Sequence, residues 1–413
     1  MNPTSATTYL VHSMAAALLA AMLPVCAAAQ PPAKNCVPVE TRDPNAAGQK
    51  PAFEGQTRAC GISSDVALEV VVLAKGLQQP WAIEPLPDGD LLVTEKPGRL
   101  RIVTAKGETL APIAGVPAVD ARSQGGLLDV ALSPRFATDR TIYWSYSEPR
   151  KGGNATSVAR GVLSDDRTRL DHVRVIFRAL PAYDGDKHYG SRLVFAPDGM
   201  LFVTLGERSD KPMRPQAQQL DSHMGKIVRI APDGSVPSDN PFVGRRGALP
   251  EIWSLGHRNI QAATLDPKGR LWEVEHGTRG GDELNRIERG HNYGWPEVAY
   301  GIEYSGMPIP DAVTAREDTE QPVYYWDPVI APSGMQFYTG EAFPAWRGNL
   351  FVGGMRATSL VRLTLEGDRV TGEEHLLTDR GQRIRDVRQG PDGALYVVTD
   401  AANGELWKLA PRG

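Results

Sequence analysis

From residue 65 onward the chain repeats one pattern of apolar and polar positions: a short apolar strand, a tight turn usually built on Pro-Asp-Gly, and a second strand of large apolar residues. The first copies run from Trp81-Ala82-Ile83 to Leu91-Leu92-Val93 across Pro87-Asp88-Gly89, and from Leu127-Leu128-Asp129-Val130 to Ile142-Tyr143-Trp144 across a longer turn. Leu193-Val194-Phe195 to Leu201-Phe202-Val203 follows, then Ala262-Ala263-Thr264-Leu265 to Leu271-Trp272. The last two run from Met335-Gln336-Phe337 to Leu350-Phe351-Val352 and from Val387 to Leu395-Tyr396-Val397, which makes six. A second strand rich in large apolar residues on both faces is buried on both, as happens when sheets stack around an axis. The spacing of roughly 45 to 75 residues leaves room for two more strands per repeat, with residues 226–230 and 360–363 as candidates. The pattern therefore predicts an all-β, six-bladed β-propeller with four-stranded antiparallel blades, because a two-sheet sandwich does not call for six like hairpins. Closure is expected to pair an early strand, residues 68–73, with the blade ending in Leu406-Trp407-Lys408-Leu409.

Upstream of the repeats the pattern changes. Residues 14–25 are apolar and lead into Cys26-Ala27-Ala28-Ala29, the layout of a signal peptide spanning residues 1–29. The run is too short to cross a bilayer, so the expected location is periplasmic or secreted, with no membrane span. Residues 30–64 read as an extended arm, and residues 65–413 as the propeller. Cleavage leaves Cys36 and Cys60, an even number in an oxidising compartment, and we expect them to pair. A net charge of −4 with 23% charged residues supplies no basic surface for a nucleic-acid backbone.

In an antiparallel hairpin, the start of the first strand and the end of the second lie at the same end, opposite the turn. Before first strands stand Gln124-Gly125-Gly126, Lys187-His188-Tyr189-Gly190, His257-Arg258-Asn259 and Arg383-Ile384-Arg385-Asp386. After second strands stand Gly206-Glu207, Glu275-His276-Gly277-Thr278 and Gly354-Met355-Arg356. All seven groups converge on the face opposite the Pro-Asp-Gly turns. Four arginines drawn to one tunnel mouth, Arg258, Arg356, Arg383 and Arg385, repel one another unless an anion lies between them. A planar polyanionic or phosphorylated ligand is expected, and no Walker-type or G-x-G-x-x-G loop directs the choice to a nucleotide.

Four stretches carry a more specific signal: His188-Tyr189-Gly190-Ser191-Arg192-Leu193-Val194-Phe195, Gly256-His257-Arg258-Asn259, Asp282-Glu283-Leu284-Asn285 with Asn292-Tyr293-Gly294-Trp295-Pro296, and Arg383-Ile384-Arg385-Asp386-Val387. In this order they resemble the soluble aldose sugar dehydrogenases dependent on pyrroloquinoline quinone (PQQ), a likeness running over residues 77–409. The resemblance implies a small-molecule aldose as substrate and leaves the electron acceptor unspecified. It implies His188 as general base on the sugar C1 hydroxyl, Glu207 as the carboxylate orienting it, and Arg258 as stabiliser of charge developing on the quinone. Asn259, Gln124, Arg356, Arg383 and Arg385 are implied to hold the cofactor, with Tyr304 stacked near its ring. Calcium (Ca2+) is implied on the carbonyls of Gly277 and Thr278, and a second calcium near Glu283 and the Tyr293 carbonyl. Thr278, Arg356 and Glu207 depart from commoner Pro, Lys and Asp, yet each keeps the carbonyl, cation or carboxylate needed. Trp295 and Trp326 are expected to pack between blades, and His257, His276 and His291 to be structural or solvated.

Two other functions compete. A calcium-dependent lactone hydrolase on a similar propeller needs Glu, Asn and Asp side chains around its metal, where this mouth has arginines. A cofactor-free extracellular binding propeller shares the architecture, and His188 together with the four arginines counts against it. If Cys36 and Cys60 pair, mass spectrometry of the non-reduced mature protein will find both in one cross-linked peptide. Two free thiols would refute the bridge.

Overall fold

The computed structural model describes Met1 and residues 36–412; the expected signal segment lies outside the described residues. Six antiparallel blades follow one another along the chain. Their innermost strands are Pro80–Pro85, Leu127–Leu132, Leu193–Phe195, Ile260–Leu265, Pro332–Phe337 and Ile384–Gln389. Each packs on the next, and the last packs on the first, so the ring is closed. Second strands such as Leu91–Glu95 and Leu350–Gly354 are buried at every position, as the two-faced apolar pattern requires. Lys226–Ile230 and Ser359–Glu366, which include the two candidates, are the third strands of their blades.

Two blades are completed in irregular ways. In the first, Arg99–Val103 is followed by a bent segment held by bonds from Leu110 N to Ile102 O and from Ile113 N to Leu100 O, both 2.8 Å. The last blade takes its outer strand from the start of the propeller: Leu68–Leu77 lies antiparallel to Gly404–Pro411, with Val70 opposite Leu409. Closure therefore follows the expected pairing. Pro-Asp-Gly turns close three of the six inner hairpins, and Gly89 and Gly199 hold φ of 90° and 82° there, conformations that side-chain-bearing residues avoid.

The arm lies against the propeller. Cys60–Gly61 adds a parallel strand beside Arg369–Leu376. Asp327 accepts hydrogen bonds from Asn45 N, Asn45 Nδ2 and Ala46 N, all at 2.9 Å. Cys36 and Cys60 are both disulfide-bonded. Among the described residues no helix is long and apolar enough to cross a membrane.

The axis of the ring is crossed by charge. Arg192, fully buried, contacts Asp129 at 2.8 Å and Asp386 at 3.2 Å and donates to the Gln261 carbonyl at 3.2 Å. The two aspartates also accept backbone N–H groups of neighbouring inner strands, Asp129 from Leu193 at 2.7 Å and Asp386 from Ile83 at 3.0 Å. The Arg192 guanidinium lies 4.5 Å from the Trp81 ring centre. Arg388 extends this network to Met335 of the fifth inner strand through a 3.4 Å bond to its carbonyl.

Removing one partner from a buried ion network leaves uncompensated charge and typically costs about 3–5 kcal/mol. Arg192→Met is therefore expected to lower unfolding stability by about that amount, read from the urea midpoint at constant m-value. A loss under about 1 kcal/mol would show that the aspartates need no guanidinium between them.

Candidate active site

At the end of the tunnel opposite the Pro-Asp-Gly turns lies a cavity of about 340 Å³, with Lys96, Gln124, Gln261, His276, Arg383, Arg385 and Asp400 in its wall. Every blade tip that supplies the wall is the end of a buried strand, so the polar groups stand on a rigid frame.

His188 sits beside this wall in the loop before the third inner strand, with a left-handed backbone (φ 48°). Its amide donates to Gln124 Oε1 at 2.8 Å. Gly206 makes this loop seating possible, because a Cβ there would collide with the His188 carbonyl. His188 Nδ1 lies 3.0 Å from Glu207 Oε1, and both side chains are buried. The other Glu207 oxygen accepts the Ser209 amide. An ionised carboxylate only accepts, so Nδ1 carries the proton and Nε2 is left with a lone pair. Burial holds the His188 pKa below the ordinary histidine value, the nearby Arg258 charge pushes it the same way, and Glu207 opposes both. The imidazole is neutral at neutral pH.

Arg258 lines a small adjoining recess with Glu275, Gly277, Thr278, Glu283, Tyr293 and Trp295, and His276 belongs to both walls. Its Nη1 donates to the carbonyls of His276, at 2.9 Å, and Gly277, and its guanidinium lies 5.2 Å from the Trp295 ring centre. Arg258 Nε, Asn259 Nδ2 and Thr278 Oγ1 are buried without a hydrogen-bond partner. Asn259 Oδ1 accepts Gly190 N at 3.2 Å and Gln261 Nε2 at 3.3 Å, which aims its amide. Gly277 N donates to Asp282 Oδ1 at 2.8 Å, and burial pushes the Asp282 carboxyl up to about 7. His276 donates from Nε2 to the Pro332 carbonyl at 2.7 Å, and burial lowers its pKa to about 3, so it too is neutral.

The arginines do not all arrive at the mouth. Arg383 and Arg385 do, and each pairs with Asp400, at 2.7 and 2.6 Å. The protein thus supplies part of the anion that the sequence reading asked of a ligand. Arg356 is exposed and lies outside the wall; its neighbour Met355 is the buried wall residue, in the turn that follows the strand Leu350–Gly354. Tyr304 is 68% exposed and also lies outside the wall.

Sequence reasoning passed over Lys96, Asp400 and Gln261, and placed His276 on this face only as a structural or solvated residue. It also passed over a buried cluster beneath the recess. The ligand atoms of His257, Glu273 and Glu275 lie within 4.8 Å of one another, and Glu273 Oε2 and Asn285 Oδ1 have no partner. Glu273 stands opposite Asn285 and Glu275 opposite Glu283 on adjacent strands. Burial and then the Glu275 charge push both Glu273 and Glu283 well above the usual carboxylate range. The alternation Glu273-Val274-Glu275 facing Glu283-Leu284-Asn285 was the available signal. Tyr293 stacks on His257 at 4.8 Å, whereas His291 pairs with Glu320 in solvent.

The family model for Glucose / Sorbosone dehydrogenase matches residues 77–408. Aldose sugar dehydrogenase YliI of Escherichia coli is 47% identical over 354 residues, covering 85% of this chain and 95% of the relative. The crystal structure of the soluble aldose sugar dehydrogenase of Escherichia coli in its apo form superposes with a TM-score of 0.81 at 47% identity, covering 84% of this chain and all of that one. The PQQ-bound aldose sugar dehydrogenase of Streptomyces coelicolor superposes with a TM-score of 0.69 at 30% identity, covering 85% and all of the respective chains.

The His188 environment yields a direct expectation. NMR titration should place its pKa below the unperturbed value of about 6.5, and Glu207→Gln should lower it further by removing the one group that favours imidazolium. A wild-type value above about 6.5, or a rise in the variant, would contradict the geometry.

Proposed function

The chain belongs to the glucose/sorbosone dehydrogenase family, and on that premise we propose that it is an exported quinoprotein that oxidises the anomeric C1 hydroxyl of aldose sugars to the lactone. The observation that carries this reading is the buried His188–Glu207 pair standing beside a mouth where Lys96, Arg383 and Arg385 face a single carboxylate, Asp400.

PQQ is a planar quinone with three carboxylates, and the donor set suits it. Arg383 and Arg385 offer guanidinium edges for carboxylates, Gln124 offers an amide, and Asn259 Nδ2 and Arg258 Nε are buried donors waiting for an acceptor. The backbone oxygens of Gly277 and Thr278 are hard donors of the kind calcium takes. When bound, PQQ supplies the two-electron acceptor for the sugar hydride, with calcium as Lewis acid on the quinone.

The side chains do the rest. His188 Nε2 takes the hydroxyl proton as the C1–H bond is broken, and Glu207 holds the ring in the tautomer that leaves this nitrogen free. The positive charge gained by the imidazole is compensated by the buried Glu207 carboxylate. Arg258, held against Trp295, presents a fixed positive charge close to the base. In this structure the same guanidinium donates to the Gly277 carbonyl, so a cation on that oxygen would share it with Arg258 or displace it. The second calcium is assigned to Glu283 and the Tyr293 carbonyl, over the buried acidic cluster. Residues 304–320 form the long loop expected to select the sugar.

Cofactor-free protein should be inactive towards aldoses and gain activity only with PQQ and calcium together. Chelation should release cofactor and activity in parallel. His188→Gln should bind PQQ normally and lose sugar oxidation by on the order of 100-fold or more, the scale of a positioned base. The acid limb of the kcat profile should fall below the usual histidine range, since protonation disables the base and burial depresses its pKa. Sugar oxidation by cofactor-free protein, or no PQQ binding in calorimetry with calcium present, would overturn the quinoprotein reading.

A further inference from the structure

The electrostatics of the cavity are unbalanced: three cations, Lys96, Arg383 and Arg385, face one carboxylate, Asp400. Asp400 is shared by two guanidiniums: Arg383 Nη2 reaches one oxygen at 2.7 Å and Arg385 Nη2 the other at 2.6 Å. Arg385 also donates to Gln261 Oε1 at 3.3 Å. Both arginines therefore already have protein acceptors for part of their donors.

Lys96 has no such partner. Its ammonium donates to the Ser123 carbonyl, and among the described residues no carboxylate lies within ion-pair distance of it. An ammonium carries three donors, so two are left for the cavity. Glu95, the adjacent acid, is committed to Arg99 and the Gln78 amide. Burial lowers the lysine's pKa from its ordinary value, the charge of Arg385 acts in the same sense, and Asp400 opposes them. A desolvated cation next to another cation, with no counter-ion of its own, gains most from an arriving anion.

The position is also fixed. The Lys96 amide donates to the Gln79 carbonyl at 3.1 Å and its carbonyl accepts the Leu127 amide at 3.0 Å, joining the first and second blades. Gly126 packs so closely on the Lys96 carbonyl that a Cβ would collide with it. The backbone that carries the side chain is therefore clamped at the rim, while Arg356 is exposed and outside the wall.

We propose that Lys96 is a cofactor-binding residue that seats a carboxylate of the anionic cofactor, in the place the sequence reading gave to Arg356. This inference rests on the quinoprotein reading, and the experiment separates the two. PQQ binding to full-length cofactor-free protein with calcium is measured by calorimetry for wild type, Lys96→Gln, Lys96→Arg and Arg356→Gln, with thermal unfolding as the check on folding. Lys96→Gln should weaken PQQ by roughly 10- to 100-fold, the range for one charge-assisted hydrogen bond. Lys96→Arg should stay within about fivefold of wild type, because the charge is kept. Arg356→Gln should stay within about twofold. If Lys96→Gln fails to fold, Lys96→Met takes its place. An unchanged affinity in the uncharged Lys96 variant, or a greater loss in Arg356→Gln, overturns the assignment and leaves the quinoprotein reading standing. If wild type binds no PQQ, the quinoprotein reading falls, and benzene-1,3,5-tricarboxylate becomes the probe. Binding of that anion weakened by Lys96→Gln supports an anion seat at Lys96, and indifference to the substitution, or no binding at all, overturns it.

Discussion

The structure depends on the ion network that Arg192 makes with Asp129 and Asp386 at the centre of the ring. A propeller's inner strands each have one edge without a strand neighbour, because they face the axis, and those edges need polar partners. Asp129 and Asp386 satisfy amides on two of them, and Arg192 and Arg388 satisfy carbonyls on two others. Burial raises the Asp129 carboxyl, and the charges of Arg192 and then Arg388 oppose that rise.

That rigid axis is what permits a demanding arrangement at the mouth. His188 is in a left-handed conformation, buried, and paired with a buried carboxylate. Such a residue keeps its geometry only when the surrounding elements over-determine it. The Gln124 side chain from the second blade fixes its amide, and Gly206 from its own blade makes room for its carbonyl. Arg258 and Glu207 pull the imidazole's proton affinity in opposite directions, so the pair tunes the base as well as placing it. The neutral His276 stands where the two cavities meet and offers a lone pair without adding charge.

Much of the fold was legible in the sequence because six hairpins repeat one burial pattern, and the sorting of loops to two faces follows from antiparallel geometry alone. The bent fourth segment of the first blade was not, since residues 109–113 show neither alternation nor a turn signal. At the site, loop sorting brought His188, Glu207, Arg258, Asn259, Gln124, Arg383 and Arg385 to one face. It could not separate Met355, buried in the wall, from Arg356, exposed beside it in the same turn. Lys96 and Asp400 also follow second strands, but a lone lysine or aspartate there looks like any solvated loop residue until the neighbouring blades supply its partners. The buried acids Glu273, Glu275 and Glu283 look like surface alternation when each strand is read alone; only the pairing of the two strands reveals four polar groups on one dry face.

The strand Leu68–Leu77 joins the first propeller residues to the last, Gly404–Pro411. Until the C-terminal strand is present, the final blade lacks its third strand, the opening strand has no partner, and the axial charges have no closed ring around them. The completing contact thus joins positions separated by nearly the whole chain, a topology of high contact order that folds late and slowly. A chain that still lacks Gly404–Pro411 cannot close the ring, because the segment that pairs with its opening strand is not yet there.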